Sequence, residues 1–389
     1  MPKRTVFIIA GEASGDLHGS NLVKAVKRLN PDIDFIGIGG DRMKQAGVKF
    51  ITHSSEMAVV GFTEVLTKLK SIIKAGVKTK KILRQKRPDL VILIDYPDFN
   101  LHIAGYAKKI GIPVMYYISP QVWAWRRGRV KKIKKRVDKM VVILPFEKDF
   151  YEERGIKVSY VGHPIMDAIP KSIDRDSLRK ELKINDSYPT VALLPGSRKH
   201  EIEKALPIMT KALYRLKDVY NKLKAFVILA DSVSSEYAKR LIEGCEFIEI
   251  FPSKDIYRIL AISDLAFVTS GTATLETAIM GVPMIVVYKG SPLSFWIAKK
   301  LVKVRYVSLV NLIANEKVVP ELLQDEFNTE NLIKEAVKIL EDSVLNQRIR
   351  KKLKEIRNRL GEGGASEKAA RIAIEMLEEN YGQHSVSSR

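Results

Sequence analysis

A chain of 389 residues with one cysteine and a formal net charge of +21 is long enough for two domains, each with its own core. The lone Cys245 excludes an intrachain disulfide and points to a reducing compartment. Two segments, 68–87 and 126–139, hold nine Lys/Arg each and between them one acid, Asp138, so they carry +17 of the +21; charge this uneven points to an anionic partner, whether nucleic acid, anionic lipid or a phosphorylated substrate.

The first apolar run, Val6 to Ala10, falls short of the roughly 7–15 residues of a signal-peptide core and reads as the first strand, RTVFIIA. No stretch approaches the roughly 20 apolar residues of a spanning helix, so a soluble or peripheral, cytoplasmic protein is expected. A helix is predicted from about Asp16 to Leu29, followed by strands IDFIGIG, PDLVILID, IPVMYYIS, DKMVVIL and KVSYVG with helical segments between most of them. Near-continuous apolar strands alternating with amphipathic helices predict a parallel sheet covered on both faces. GHPIMDAIPKSIDRDSLRK, with its two prolines, reads as a linker around 162–187. After it, TVALLPG, AFVILA, FIEIF, LAFVTSG and PMIVVYK restart the alternation, and three helical segments close the chain near 329–342, 345–360 and 364–381. The expected fold class is α/β, with domains at 1–165 and 185–360.

Four motifs follow predicted strands. GEASGD (11–16) stands where a dinucleotide fingerprint would, but it is not G-x-G-x-x-G, and the second strand runs into GIGGDRM instead of ending on a ribose-binding acid. Gly11 and Gly15 permit a ligand to approach the backbone, and Glu12, Ser14, Asp16 and His18 add polar groups at the sheet edge; the plainer reading has Ser14 capping the next helix. IDYPDFN (94–100) brings Asp95 and Asp98 to the same kind of edge, with Pro97 turning the chain between them. One carboxylate would act as general base on an acceptor hydroxyl and the other would orient it; alternatively Asp98 caps a helix while Asp95 pairs with a lysine. LLPGSR (193–198) and SGTATLE (270–276) each place small residues and free backbone N–H groups at a helix start, where phosphate oxygens bind well. Gly196, Ser197, Ser270, Gly271, Thr272 and Thr274 form the two turns. Arg198 suits a diphosphate leaving group. Glu276 suits a ribose diol, since Ala273, three residues before it, rules out a capping box. Together these turns suggest a nucleotide-diphosphate donor held in an interdomain cleft by a sugar-transferring enzyme. No His/Cys cluster has zinc spacing, and the Asp-x-Asp pairs at Asp32/Asp34 and Asp174/Asp176 lie before a strand and in the linker, so no metal is expected.

Two segments remain. SPQVWAWRRGRVKKIKKR (119–136) sets Trp123 and Trp125 beside the second basic cluster, with Val130, Ile133 and Val137 as one narrow buried stripe. The cations form either a solvated face or a contact with phosphate or a membrane interface. In 57–81, Phe62, Val65, Leu66, Leu69, Ile72 and Ile73 share a helical face ringed by Lys68, Lys70, Lys74 and Lys78. Such a stripe is either core or a basic amphipathic surface on an anionic bilayer. The absence of acids from Val65 to Pro88 favours the bilayer.

From about residue 5 to 380 the chain resembles the lipid-A-disaccharide synthase family. The resemblance rests on GEASGD, MAVVGFTEVL, DYPDFN, SPQVWAWR, VGHP, LLPGSR, SGTATLE and FWIAKKLVKVRYVSLVNLIA, in that order. It implies an inverting glycosyltransferase of GT-B type, with two facing Rossmann-like domains and the 364–381 helix returned to the first. It implies that UDP-2,3-diacylglucosamine is joined to 2,3-diacylglucosamine 1-phosphate (lipid X), giving a β-1,6-linked disaccharide 1-phosphate and UDP. It further implies work without metal or cofactor at the inner face of a Gram-negative inner membrane. Asp98 matches the family's essential aspartate, the expected base on the acceptor 6-hydroxyl. Arg198 and Asn311 match donor-handling residues, Glu276 the ribose-binding glutamate, and 57–74 the patch that meets the bilayer. The family's Asp-Ala-Pro-Asp is here Asp95-Tyr96-Pro97-Asp98. Two rivals are a UDP-sugar epimerase or other GT-B transferase with a non-lipid acceptor, and a basic RNA-binding protein. No nucleic-acid-binding motif supports the second, so nucleic acid is not an expected partner. Oligomeric state is left open.

Overall fold

A computed structural model describes residues 4–54, 62–124, 128–170, 172–184, 189–242, 245, 247–291 and 304–386. The chain divides into two compact units: Met1–Asp167 together with Leu360–Arg389, and Ala168–Arg359.

The first unit alternates strand and helix. Its elements are β1 (Arg4–Ala10), α1 (Ala13–Leu29), β2 (Ile33–Gly39), α2 (Asp41–Gln45), β3 (Val48–His53), α3 (Phe62–Lys86), β4 (Leu90–Ile94), α4 (Pro97–Lys109), β5 (Val114–Tyr117), α5 (Arg129–Arg136), β6 (Lys139–Val142), α6 (Pro145–Glu152) and β7 (Val158–Tyr160). The strands form one sheet in the order β3-β2-β1-β4-β5-β6-β7, and each pairing is parallel. Every residue of β4 and β5 is buried, as a sheet covered on both faces requires. Ala10 pairs with Ile94 and Ile94 with Tyr117, so the chain leaves β1, β4 and β5 at neighbouring points on one edge. Strand order reverses between β1 and β4, the place where open α/β sheets bind ligands.

The second unit repeats the plan with α7 (Arg175–Glu181), β8 (Thr190–Leu194), α8 (Lys199–Val219), β9 (Lys224–Leu229), α9 (Ser235–Leu241), β10 (Ile248–Pro252), α10 (Ile256–Ile262), β11 (Leu265–Thr269), α11 (Ala273–Ile279), β12 (Met284–Tyr288), α12 (Leu309–Ala314), β13 (Glu321–Leu323), α13 (Thr329–Glu341) and α14 (Ser343–Arg359). Its sheet runs β10-β9-β8-β11-β12-β13, again parallel throughout. Its order reverses between β8 and β11. The last helix, α15 (Ala365–Val386), belongs to the first unit and packs on α1. Ala369, Ala370, Ala373 and Leu377 are buried, and three alanines let two helix backbones approach closely.

Three local expectations are corrected. The first helix begins at Ala13 with Glu12 in the cap position, so Ser14 lies inside its first turn and caps nothing. The stretch read as a linker contains α7, which Asp174 caps by accepting from Ser177 N at 3.0 Å and Ser177 Oγ at 2.7 Å. Edge strands β3 and β13 were absent from the predicted set: β3 is only partly buried and β13 is three residues long.

Candidate functional site

In the first unit, Gly11–Glu12 leaves β1 and Asp95-Tyr96 leaves β4 on either side of the point where strand order reverses. Asp95 and Tyr96 both take left-handed backbone angles, φ 43° and 47°, a conformation costly for non-glycine residues and concentrated at functional sites. Asn100 Nδ2 donates to the carbonyls of Ile94 (3.1 Å) and Asp95 (2.7 Å), and the Tyr116 hydroxyl donates to Asp95 O at 2.5 Å. The strained turn is thus held from β5 and from α4. Gly11 accommodates the Tyr96 ring: a Cβ there would lie 2.7 Å from both ring Cδ atoms.

The two aspartates of this turn differ in environment. Asp95 is largely shielded, and its pKa is pushed up to about 6 by burial and by the neighbouring Glu12 charge, partly offset by the Tyr96 backbone N–H. Asp98, at the second position of α4, has a side chain 76% exposed and forms an ion pair with Arg129, whose own side chain is 11% exposed. Asp98 does not cap α4, because Tyr96 holds that position. The Tyr96 pKa is raised by burial and by the Glu12 and Asp98 charges, which marks these side chains as one cluster.

Two residues expected at this edge face inward instead. Asp16 is buried and accepts from the backbone N–H groups of Gly40 (2.7 Å), Arg42 (3.1 Å) and Met43 (3.1 Å). It fixes the start of α2 from α1. Trp123 is buried, meets the Phe146 ring edge-on at 4.9 Å, and donates from Nε1 to Glu147 Oε1 at 3.1 Å. Glu147 is itself buried, with its pKa pushed up to about 7 by burial and its other oxygen accepting from Leu144 N. Gly15 is buried, while Glu12 and Ser14 are exposed; Trp125 lies outside the described residues.

In the second unit, Val268 pairs with Leu194, so Pro195–Arg198 and Ser270–Thr274 emerge side by side at the reversal point. Gly196 has φ 118°, accessible to glycine alone at low cost. Two of the turn's backbone N–H groups are not free, contrary to expectation. Glu201 Oε2 accepts from Ser197 N (3.1 Å) and Arg198 N (3.2 Å), and Oε1 accepts from Arg198 Nη1 (3.1 Å). In the second turn, Thr274 is buried and donates to Gly271 O at 2.7 Å, whereas Ser270 Oγ donates to Val307 O at 3.4 Å. Gly271 and Thr272 are exposed. Burial raises the Glu276 pKa, and the Tyr257 hydroxyl donates to Glu276 Oε1 at 3.4 Å. Tyr257 and Glu201 escaped sequence reasoning; only the Glu three residues after Arg198 signalled the latter.

Asn311 sits in the interior with each side-chain atom engaged. Its Nδ2 donates to Val319 O (2.9 Å) and Glu321 Oε1 (2.8 Å), and its Oδ1 accepts from Val318 N (2.8 Å) and Val319 N (3.0 Å). Glu321 also accepts from Val307 N and Ser308 N. Asn311 therefore braces the segment that meets Ser270.

The two basic segments, separate in sequence, converge on α4, against which both α3 and α5 pack. Lys80 Nζ lies over the Tyr106 ring, and Arg136 Nη1 donates to Leu101 O at 2.9 Å. The His102 pKa is lowered by burial, then by Lys80 and Arg136. Along α3, Ile72 packs on the core, Ile73 and Val77 are 57% and 65% exposed, and Lys70 and Lys74 are exposed. The side chains of Phe62, Val65, Leu66, Lys68 and Leu69 lie outside the described residues. Among the described residues, no helix is long and apolar enough to cross a membrane, and no group of three or more His, Cys, Asp or Glu could hold a metal ion.

A family model described as lipid-A-disaccharide synthetase matches residues 6–376. Among curated proteins, a lipid-A-disaccharide synthase of Geobacter metallireducens is 45% identical over 97% of this chain and 98% of its own. One of Trichlorobacter lovleyi is 45% identical over 97% and 99%. Among solved structures, the MnaA–UDP complex of S. aureus aligns with TM-score 0.64 at 15% identity over 94% of each chain. The calicheamicin glycosyltransferase CalG4 aligns with TM-score 0.61 at 14% identity over 97% of this chain and 99% of its own. These two likenesses bear on fold alone: two Rossmann-like domains, as in GT-B enzymes.

Proposed function

The chain belongs to the lipid-A-disaccharide synthase family, a lipid A disaccharide-forming glycosyltransferase family, and from that premise we propose that it transfers 2,3-diacylglucosamine from UDP to the 6-hydroxyl of lipid X with inversion, using an aspartate base and no metal. The observation that carries the donor half is the pairing of the Arg198 and Glu276 turns at the reversal point of one parallel sheet, the usual ligand edge of such folds. Arg198 takes up charge on the departing diphosphate. Glu276, steadied by Tyr257, accepts from the ribose hydroxyls.

The acceptor half rests on the turn after β4. A base must be ionised at working pH yet retain affinity for a proton. Asp95, shielded in the strained turn and with its pKa pushed up to about 6, meets that requirement and takes the role the resemblance assigns to Asp98, which stands exposed and paired with Arg129. In the proposed step the Asp95 carboxylate takes the 6-hydroxyl proton while that oxygen attacks the anomeric carbon and the bond to UDP breaks. Asp98 holds Arg129 at the rim. The cationic α3–α4–α5 face, with exposed Ile73 and Val77, suits an anionic membrane surface at which both acylated substrates reside; this supports a peripheral location on the inner membrane.

The test incubates the protein with UDP-2,3-diacylglucosamine and lipid X in mild detergent and follows lipids by mass spectrometry. The reading predicts a tetra-acylated disaccharide 1-phosphate and an equal amount of UDP, with EDTA without effect. Turnover of unacylated UDP-N-acetylglucosamine, independent of lipid X and of detergent, would instead favour the non-lipid transferase or epimerase.

A further inference from the structure

Building on the donor reading above, we propose that Glu201 is an internal anion that the donor's diphosphate displaces, which makes it a positioning residue that sets how tightly the Gly196–Arg198 turn holds phosphate. Its carboxylate occupies the groups a diphosphate would use: the N–H groups of Ser197 and Arg198 and the Arg198 guanidinium, at 3.1, 3.2 and 3.1 Å. A simple capping box needs only the N-cap N–H. Here the Ser197 N–H and the guanidinium converge on the same carboxylate, and its side chain is 14% exposed against 59% for Arg198.

The turn is shaped around this occupant. Gly196 leaves the space into which Glu201 projects: a Cβ there would stand 2.8 Å from Oε2 and 2.9 Å from Glu201 Cβ. From the other side, Ser232 Oγ donates to Ser197 O at 2.6 Å, so the turn keeps an anchor when the carboxylate leaves. Hydrogen bonds from backbone and guanidinium to an anion are roughly twice as strong as those between neutral groups. A carboxylate with one charge satisfies them only until a more highly charged diphosphate arrives. Exchange then moves Glu201 off the turn and transfers Arg198 to the donor. Uridine, which has no phosphate, leaves the carboxylate in place.

The experiment is calorimetric titration of the full chain and of Glu201→Gln with UDP and with uridine. Glutamine keeps an acceptor for the turn but not the competing charge. UDP should bind the variant roughly fivefold to tenfold more tightly, with uridine affinity unchanged. UDP affinity unchanged or weakened in a folded variant would overturn the displacement model and leave the donor reading intact. UDP failing to bind either protein would overturn both. If thermal unfolding shows that Glu201→Gln does not fold, Glu201→Ala, which also removes the competing charge, is used instead; it should tighten UDP in the same direction, and a failure to do so overturns the proposal.

Discussion

Replacing Asp95 by asparagine should make the first unit more stable and the enzyme inactive. The native Asp95 carboxyl has its pKa raised from 3.8 to about 6, so the folded state binds this proton more tightly than the unfolded chain. Above about pH 6 both states are ionised, and holding the charge in its shielded position destabilises the fold. Two pKa units correspond to about 3 kcal/mol, and the penalty fades as pH falls from 6 toward 3.8. Asparagine keeps the shape without the charge. Urea denaturation at pH 8 should show Asp95→Asn more stable by about 2–3 kcal/mol, with the gap closing near pH 4. Disaccharide formation should fall by roughly a hundredfold or more while UDP binding persists, because Arg198 and Glu276 belong to the other unit. A variant that is destabilised at pH 8, or stabilised and fully active, would refute the reasoning.

Three further outcomes are expected. Glu12→Gln removes the second-largest cause of the raised Asp95 pKa, so the acidic limb of kcat/KM should move down by up to about one pH unit from near pH 6; a pH–rate profile checks the sign. Asn311→Ala strands the half-buried Val318 N–H and the buried N–H and carbonyl of Val319 and should cost roughly 3–5 kcal/mol, seen as a lower unfolding midpoint. Ile73→Ser with Val77→Ser should weaken sedimentation with anionic vesicles but leave turnover in detergent near normal, and raised salt should weaken it further, since each cation contributes on the order of 1 kcal/mol near such a surface.

What the sequence disclosed and what it hid divide along physical lines. Long apolar strands such as LVILI and LAFVT announce a parallel sheet because both of their faces are buried. With those strands located, the residues that follow them fall at the ligand edge, which is how Asp95, Arg198 and Glu276 became visible. Short edge strands carry little such signal, and β3 and β13 went unseen. Side-chain direction was the harder question. Asp16, Trp123 and Asn311 are polar or amphipathic residues in motif positions, yet each meets buried partners: the α2 amides, Glu147 and the 318–321 segment. Those partners lie 7 to 27 residues away, beyond the reach of local spacing. The inequality of Asp95 and Asp98 was hidden for the same reason, since the Glu12 charge beside Asp95 and the Arg129 partner of Asp98 come from other segments.

The most direct test of the central claim is the anomeric configuration of the disaccharide made from the α-linked UDP donor, read from the proton coupling at the new glycosidic carbon. A single displacement by a hydroxyl that Asp95 deprotonates predicts a β-linkage only. An α-linkage, or a sugar trapped covalently on the protein, would contradict it.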